Sequence, residues 1–181
     1  VDDIRKVNPN IVYVRGTGYG SRGPDADRGG YDTLGYWCRS GAAFGAKPVE
    51  VDGLTGQPGP AYGDSIGAMT IAGGISAALF HRERTGQGQE VEVAMYETMA
   101  SFMLVEHANG AMFHPPLGPA VYPRTVAPNR RPYRPTDGYV AALIYNDKHW
   151  NAFIGAVRPA WASELYATLE TRAHHIDTVY G

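Results

Sequence analysis

The feature that most limits the possible folds of this chain is a helical pattern that begins at Asp64 and ends near Arg82. Residues that suit one face of a helix recur along it at helical spacing, namely Ile66, Met69, Thr70, Gly73, Ala77 and Phe80. Many of the other positions are glycine or alanine, whose small size lets neighbouring backbone approach closely. The sequence therefore predicts one long helix that packs tightly against other elements.

Runs rich in β-formers lie on both sides of this helix. Ile11–Val14 and Gln89–Ala94 are each predicted to be a strand. Because helical and strand patterns alternate along the chain, the sequence predicts the α/β class. The other predicted elements are a helix end over Val1–Val7, helices over Tyr31–Phe44, Tyr96–Phe113 and Asp147–Val157, and a strand over Gly138–Tyr145.

Length and proline content suggest how the chain is divided. Its 181 residues suffice for one ordinary domain and part of another. Many prolines between residues 114 and 135 indicate a connector, so a second unit is predicted to start near residue 120. Because the chain lacks an initiator Met and begins with the pattern of a helix end, we expect a fragment of a longer protein.

Composition and charge exclude several classes of protein. Hydrophobic residues make up 44% of the chain and charged residues 19%, which is the balance of a globular protein. The net charge of −2 argues against binding nucleic acid by neutralising phosphates. We expect no membrane partner, since no apolar run is predicted to be long enough to span a bilayer, and the first residues lack a signal-peptide pattern.

The cysteine and histidine content bears on metals and on location. Cys38 is the only cysteine, which rules out an intrachain disulfide and a cysteine-rich metal site. The six histidines show no metal-ligand spacing, so no metal site is predicted. One unpaired thiol fits a reducing compartment, and we expect a cytoplasmic protein.

A glycine-rich segment follows the first predicted strand. Residues 18–23, with the sequence GYGSRG, have the spacing of a dinucleotide-binding fingerprint. That fingerprint needs a helix that starts inside the motif, whereas the next helical pattern here begins near Tyr31. The glycines are better explained by tight turns or by backbone that approaches a ligand closely.

Three side chains have both a structural and a chemical interpretation. Asp64 suits the N-cap of the helix that follows it, yet the same helix end would stabilise an ionised carboxylate that acts as a nucleophile. Asp32 is either a second cap or a functional acid, and the residues alone do not separate these roles. Cys38 lies on the apolar side of a predicted helix and is expected in the core.

Several blocks of this sequence resemble the class III CoA-transferases, the family of formyl-CoA and carnitine-CoA transferases. Two of them are residues 8–13 (NPNIVY) and 18–24 (GYGSRGP), followed by Gly30-Tyr31-Asp32. The most specific block runs from Gly63-Asp64 through the small-residue helix to RERTGQGQEVEV at residues 82–93. The resemblance covers about residues 8–110 and extends through Gly138–Val157.

This resemblance implies a fold and an assembly. Members of the family have a Rossmann-like large domain built from both ends of the chain, a smaller inserted α/β domain, and two chains that interlock. By this likeness, residues 1–100 form part of the large domain and residues 101–120 a connecting helix and linker. Residues 121–181 form part of the small domain, and the partner is a second copy in an interlocked homodimer.

The resemblance also implies a reaction. Asp64 matches the aspartate that attacks the acyl-CoA thioester, and CoA then passes to a carboxylic acid through covalent aspartyl intermediates. Thr17, Gly18 and Tyr19 match positions that line the thioester, and Tyr31 and Asp32 are also expected to bind the CoA substrate. Acyl-CoA and a carboxylic acid are therefore the expected partners, coenzyme A enters as a substrate, and no permanently bound cofactor is expected.

Two alternatives remain open from the sequence. The family includes α-methylacyl-CoA racemases, whose catalytic histidine would fall at Tyr31, and tyrosine is a poor base near neutral pH because its pKa is about 10. The other alternative is a non-catalytic CoA-binding protein in which Asp64 only caps a helix. The later part of the chain has no run of glycines like that of formyl-CoA transferases, so formyl or oxalyl specificity is not expected.

Overall fold

The computed structural model describes residues 1–48, 50–128 and 130–180, which fall into two compact units. The first unit ends at Val126 and the second begins at Ala127. The elements of the first unit are α1 (Asp2–Val7), β1 (Tyr13–Thr17), a π-helix (Asp32–Cys38), α2 (Ala42–Gly45), α3 (Tyr62–Thr85), β2 (Glu90–Ala94), α4 (Met95–Ala108), a 3-10 helix (Asn109–Met112) and α5 (Pro123–Val126).

A parallel pair of strands organises the first unit. β1 and β2 pair in parallel, with Tyr13 opposite Glu90 and Thr17 opposite Ala94, so both strands end at the same edge. Parallel neighbours need a crossover connection, and α3 supplies it by packing on both strands. The predicted mixture of helices and strands is confirmed, although β1 begins two residues later than the apolar run that predicted it.

The small residues of α3 permit its close approach to the strands. A Cβ atom added at Gly74 would lie 2.7 Å from Cγ1 of Val91 in β2, and one added at Gly16 in β1 would lie 3.3 Å from Cδ1 of Ile71. The tight packing predicted from the small residues is therefore found on this face. The opposite face is open, with Met69 and Phe80 exposed.

The length of α3 has a further consequence. Within the described part of the chain, it is long and apolar enough to cross a membrane by length and composition alone. The expectation that no apolar run reaches that length is therefore wrong, because the helix extends from Tyr62 to Thr85. One such helix is weak evidence for a membrane, since core helices of soluble proteins pass the same test.

The core of the first unit lies where the π-helix and α2 meet α4. Its buried members are Tyr36, Trp37, Ala42, Ala43 and Met99, and Ile66 of α3 packs against them. The predicted helix over Tyr31–Phe44 is thus two elements, a π-helix and the short α2, because Gly41 adopts a left-handed φ of 90° between them. Cys38 is exposed, so its predicted place in the core is wrong.

The second unit contains α6 (Asp147–Val157), a second 3-10 helix (Glu164–Tyr166), α7 (Leu169–His174) and α8 (Ile176–Tyr180). Arg172 of α7 is buried and links α7 to α6 and to the second 3-10 helix. Its guanidinium donates to the backbone oxygens of Tyr166 and Ala167 and to Asp147 Oδ1, at 3.0, 3.1 and 2.6 Å. The guanidinium also lies 4.8 Å from the ring centre of Trp150.

The strand predicted over Gly138–Tyr145 is not formed. Its only pairing among the described residues is an isolated antiparallel bridge between Tyr133 and Val140. A run of β-formers needs a neighbouring strand to satisfy its backbone groups. Here Tyr133 is the one residue among those described that pairs with the run, through Val140. The helix predicted over Asp147–Val157 is confirmed with the same bounds.

Candidate functional site

The first turn of α3 places Asp64 at the carboxyl edge of the strand pair. The helix begins at Tyr62, and Ala61 occupies the N-cap position with a left-handed φ of 52°. Asp64 is therefore the third residue of the helix, and its predicted role as the N-cap is wrong because Ala61, three residues earlier, holds that position. A carboxylate in the first turn still interacts favourably with the positive end of the helix.

A cleft of about 320 Å³ lies beside this turn. Asp64 lines it together with Thr17 and Gly18 at the end of β1. In parallel α/β folds, ligands bind outside the carboxyl ends of the strands, which is where this cleft lies. The remaining lining residues are Gly16, Gly30, Gly67, Ala68, Ile71, Val93 and Met95.

The carboxylate of Asp64 is available to a ligand. The residue is exposed, and its carboxylate forms no hydrogen bond within the residues that the structure describes. Gly67, one turn further along α3, is buried and lines the same cleft without a side chain. The arrangement combines a free carboxylate with small, mostly apolar walls, which suits an uncharged reactive group held beside it.

The wall formed by the end of β1 depends on a close backbone contact. A Cβ atom added at Gly18 would lie 2.5 Å from Cα of Gly30, so the two chain segments touch through their glycines. The carbonyl oxygen of Gly18 accepts a hydrogen bond from the backbone of Tyr96, at 2.9 Å. Thr17 Oγ1 accepts one from the backbone N–H of Gly20, at 3.0 Å, and this fixes the turn after the strand.

The glycine-rich segment does not form a dinucleotide fingerprint. After Gly23 the chain makes turns and bends, and the next helix begins only at Asp32. The helix therefore begins outside the motif, in agreement with the helical pattern that was predicted to start near Tyr31.

The structure brings together only some of the predicted binding residues. Thr17 and Gly18 share the cleft with Asp64, whereas Tyr19, Tyr31 and Asp32 are not among its lining residues. Tyr31 is 75% exposed and immediately precedes the π-helix. Their predicted role in binding CoA is not tested by this cleft and stays a prediction.

Asp32 lies beside the first turn of α3 without entering the cleft. It is the first residue of the π-helix, with Tyr31 in the N-cap position, so it is not a cap itself. Its Oδ1 accepts a hydrogen bond from the backbone N–H of Thr33 at 2.7 Å, and its Oδ2 accepts one from Nε2 of Gln57 at 3.1 Å.

Sequence reasoning did not identify most of the cleft lining or the partner of Asp32. Gly30 and Met95 line the cleft, and Gln57 contacts Asp32. Gly30 belongs to a Gly-Gly pair that resembles a simple turn, and Met95 follows a strand whose end was predicted correctly. The length of the loop that contains Gln57 was the one available signal, because long loops in compact domains often carry function.

No metal site was predicted, and among the described residues no group of three or more histidine, cysteine or acidic side chains could hold a metal ion. The site consists of one carboxylate, small or apolar lining residues and backbone groups at a helix start.

Comparison with known proteins identifies the family of this chain. The family model described as "CoA-transferase family III" matches residues 1–180. The chain is 31% identical to a succinate–glutarate CoA-transferase of Agrobacterium fabrum over 96% of its length. It is also 31% identical to a probable fatty acyl-CoA transferase of Mycobacterium tuberculosis over 82% of its length.

Solved structures show the same fold. A crystal structure of a hypothetical protein from Mycobacterium tuberculosis superposes with a TM-score of 0.76 at 28% identity, over 99% of this chain and 47% of that one. A CaiB/BaiF family protein from Brucella suis gives a TM-score of 0.74 at 23% identity, over 99% of this chain and 47% of that one, which shows the fold alone.

The chain belongs to CoA-transferase family III, which confirms the family predicted from its motifs. It spans 43% of the Agrobacterium relative and 40% of the mycobacterial one, so it covers less than half the length of these curated relatives.

Proposed function

We propose that the protein containing this chain transfers CoA from an acyl-CoA donor to a carboxylic acid through covalent intermediates on Asp64. The observation that carries the proposal is the position of the Asp64 carboxylate, free of hydrogen bonds within the described residues and facing a cleft at the strand ends. Membership of a family whose relatives are named CoA-transferases supplies the substrate class.

The first half of the reaction loads CoA onto the enzyme. A carboxylate oxygen of Asp64 attacks the thioester carbonyl, the C–S bond breaks, and a mixed anhydride forms with release of the CoA thiolate. The thiolate then attacks the aspartyl carbonyl of the anhydride. This releases the donor acid as a carboxylate and leaves an aspartyl-CoA thioester.

The second half unloads CoA onto the acceptor. The acceptor carboxylate attacks the aspartyl thioester, which gives a second anhydride and CoA thiolate. The thiolate attacks the acceptor acyl carbon, and the new acyl-CoA leaves with the Asp64 carboxylate restored. Each step exchanges one acyl bond for another, so no oxidant, reductant or net proton transfer is needed.

Local features of the chain support these steps. Backbone N–H groups in the first turn of α3 have no intrahelical acceptor, and they are suitable donors for the oxyanions that form at each attack. Gly67 leaves space next to Asp64 for the acyl group. Binding of the thioester in the cleft would displace water from the Asp64 carboxylate. A desolvated carboxylate is the stronger nucleophile.

Trapping tests the proposal directly. The full-length protein is incubated with succinyl-CoA, treated with hydroxylamine or borohydride, and mapped by mass spectrometry. We expect modification at Asp64 and none in the Asp64→Ala variant. An unmodified Asp64 together with full turnover by Asp64→Ala would refute the proposal. Deuterium incorporation at the α-carbon of a 2-methylacyl-CoA without an acceptor acid would instead indicate racemisation.

The assembly and location inferred from the sequence are further proposals. We propose an interlocked homodimer in the cytoplasm, with residues 1–100 in a Rossmann-like large domain and residues 121–181 in a smaller one. The exposed Met69 and Phe80 of α3 give an apolar surface that further chain can cover. Light scattering of the full-length protein tests the dimer, and a monomer would contradict it.

A further inference from the structure

The loop that leads into α3, residues 50–61, is fixed mainly from one side. Nearly all of its residues are at least partly exposed, so little packing holds it. It contacts the π-helix through two hydrogen bonds: Nε1 of Trp37 donates to the backbone oxygen of Thr55 at 2.7 Å, and Nε2 of Gln57 donates to Asp32 Oδ2 at 3.1 Å. Thr55 Oγ1 also donates to the backbone oxygen of Ala43 in α2, at 3.4 Å. Where this loop ends, the chain enters the first turn that holds Asp64.

The π-helix also touches that first turn. The ring of Tyr62 meets those of Tyr36 and Trp37 edge to face, with centroids 5.9 and 6.1 Å away. A Cβ atom added at Gly63 would lie 2.5 Å from Cβ of Tyr36 and 3.0 Å from Cβ of Asp32. Gly63, the residue before Asp64, therefore packs closely against both Tyr36 and Asp32.

Both carboxylate oxygens of Asp32 are already used within the protein, by Thr33 and by Gln57. A carboxylate engaged in this way is suited to holding protein in place rather than to binding a substrate. Since Asp32 touches Gly63 on one side and the loop on the other, it joins the two segments that determine the position of Asp64.

We propose that Asp32 and Gln57 are positioning residues for Asp64, and that their hydrogen bond holds the loop before α3 so that the Asp64 carboxylate is aimed at the thioester. This inference rests on the proposed function. It predicts an effect on turnover, because misplacement of a reacting group by about 1 Å can cost about a hundredfold in rate. Substrate affinity should change little, since neither side chain lines the cleft.

The orientation of the Gln57 amide indicates the sharpest test. Its Nε2 faces a carboxylate, and its Oε1 is buried without a hydrogen-bond partner among the described residues. The change Gln57→Glu keeps the shape but sets one carboxylate against another and buries a charged oxygen without a donor. Adding Asp32→Asn to this variant allows a hydrogen bond again, with donor and acceptor exchanged: the new amide at position 32 donates to the new carboxylate at position 57.

The experiment measures kcat and KM of the full-length enzyme for CoA transfer from succinyl-CoA, and the rate of covalent labelling at Asp64. We expect Gln57→Glu to lower kcat about ten- to a hundredfold with KM within about threefold, and the double variant to recover most of kcat. The loss of kcat in Gln57→Glu should also grow as pH rises. At low pH a proton shared between the introduced carboxylate and that of Asp32 relieves their repulsion.

The matched control is Gln87→Glu, which makes the same chemical change at an exposed residue outside the cleft and the loop. It should leave kcat and KM as in the parent. If Gln57→Glu does not fold, Gln57→Met removes the hydrogen bond without adding charge and is compared with the parent in the same way.

Two results would overturn the inference while leaving the proposed function intact. One is normal labelling and turnover in a folded Gln57→Glu variant. The other is a double variant that folds as well as the parent yet recovers no kcat. By contrast, absence of labelling at Asp64 in the parent enzyme would remove the proposed function itself.

Discussion

Gly18 and Gly30 touch backbone to backbone, and a Cβ atom on Gly18 would lie 2.5 Å from Cα of Gly30. Because the obstructing atom belongs to the main chain, no rotation of a side chain could relieve the clash. We expect Gly18→Ala to lower the free energy of unfolding by about 1–3 kcal/mol and to reduce transfer activity, as the wall of the cleft must shift.

Gly29→Ala is the control for this effect. Gly29 is next to Gly30, yet a Cβ atom there would meet nothing within 4 Å. We expect its free energy of unfolding to stay within about 0.5 kcal/mol of the parent in urea titrations. Equal destabilisation by both changes would show that the contact with Gly18 is not the reason.

Replacing Asp64 separates its structural role from its chemical role. Because Asp64 lies in the first turn and not at the N-cap, Asp64→Ala should lower the free energy of unfolding by only about 0.3–1 kcal/mol. Turnover should fall by about a thousandfold or more, as expected for loss of a nucleophile. Parallel urea titrations and CoA-transfer assays check the two effects, and a proportional loss of both would favour a purely structural role.

Arg172 is expected to hold the second unit together. Its guanidinium makes three hydrogen bonds and lies against Trp150, so Arg172→Ala removes the donor to two carbonyl oxygens and to Asp147. Since Asp147 is half exposed, we expect a loss of about 2–4 kcal/mol, below that of a fully buried pair.

Hydrogen exchange measured on peptides from residues 147–176 checks this prediction, because it reports on the second unit alone. Lys148→Ala is the matched control, since it removes a cation from an exposed position on α6, next to the Asp147 partner of Arg172. Faster exchange in Arg172→Ala but not in Lys148→Ala is the expected result, and unchanged exchange in both would contradict it.

Burial of Tyr36, reinforced by the neighbouring Tyr62, raises the pKa of the Tyr36 phenol above its ordinary value of 10.0. A pKa raised in the folded state favours the protonated form there. The resulting stabilisation is complete below about pH 10 and is lost as pH rises through the raised pKa. We therefore expect the free energy of unfolding to fall more steeply above about pH 10 in the parent than in Tyr36→Phe. Identical pH profiles would show that Tyr36 does not contribute.

Much of the fold could be predicted where a local signal marks the element. The helix Asp147–Val157 was predicted with its bounds, and its start is fixed locally, because Asn146 caps it by accepting a hydrogen bond from the backbone of His149. The strand expected at Gly138–Tyr145 failed for the opposite reason. Its residues favour a strand, but pairing depends on a partner that lies elsewhere in the chain, and only Val140 has one among the described residues.

The residues of the site also fall into those that a local pattern predicted and those that it did not. Asp64 and Gly18 were predicted because each lies within a recognisable motif, and Thr17 because it directly precedes one; the structure brings all three to one cleft. Gly30 and Gln57 were missed because their importance comes from contacts with distant segments, which no local pattern encodes. The position of Asp64 within its helix was also missed, since the left-handed Ala61 has no sequence signal of the kind that glycine would give.

The π-helix has a consequence for how this chain tolerates change in its gene. A π-helix has hydrogen bonds that span one residue more than those of an α-helix, so losing a single codon inside Asp32–Cys38 would convert the wide turn to an ordinary α-helical one. That conversion would absorb the missing residue, and Tyr36 and Trp37 would still face Tyr62. In a regular α-helix such as α3, by contrast, losing one residue would turn every later side chain by about 100° around the helix axis. A one-codon deletion should therefore be tolerated better in the π-helix than in the helix that carries Asp64.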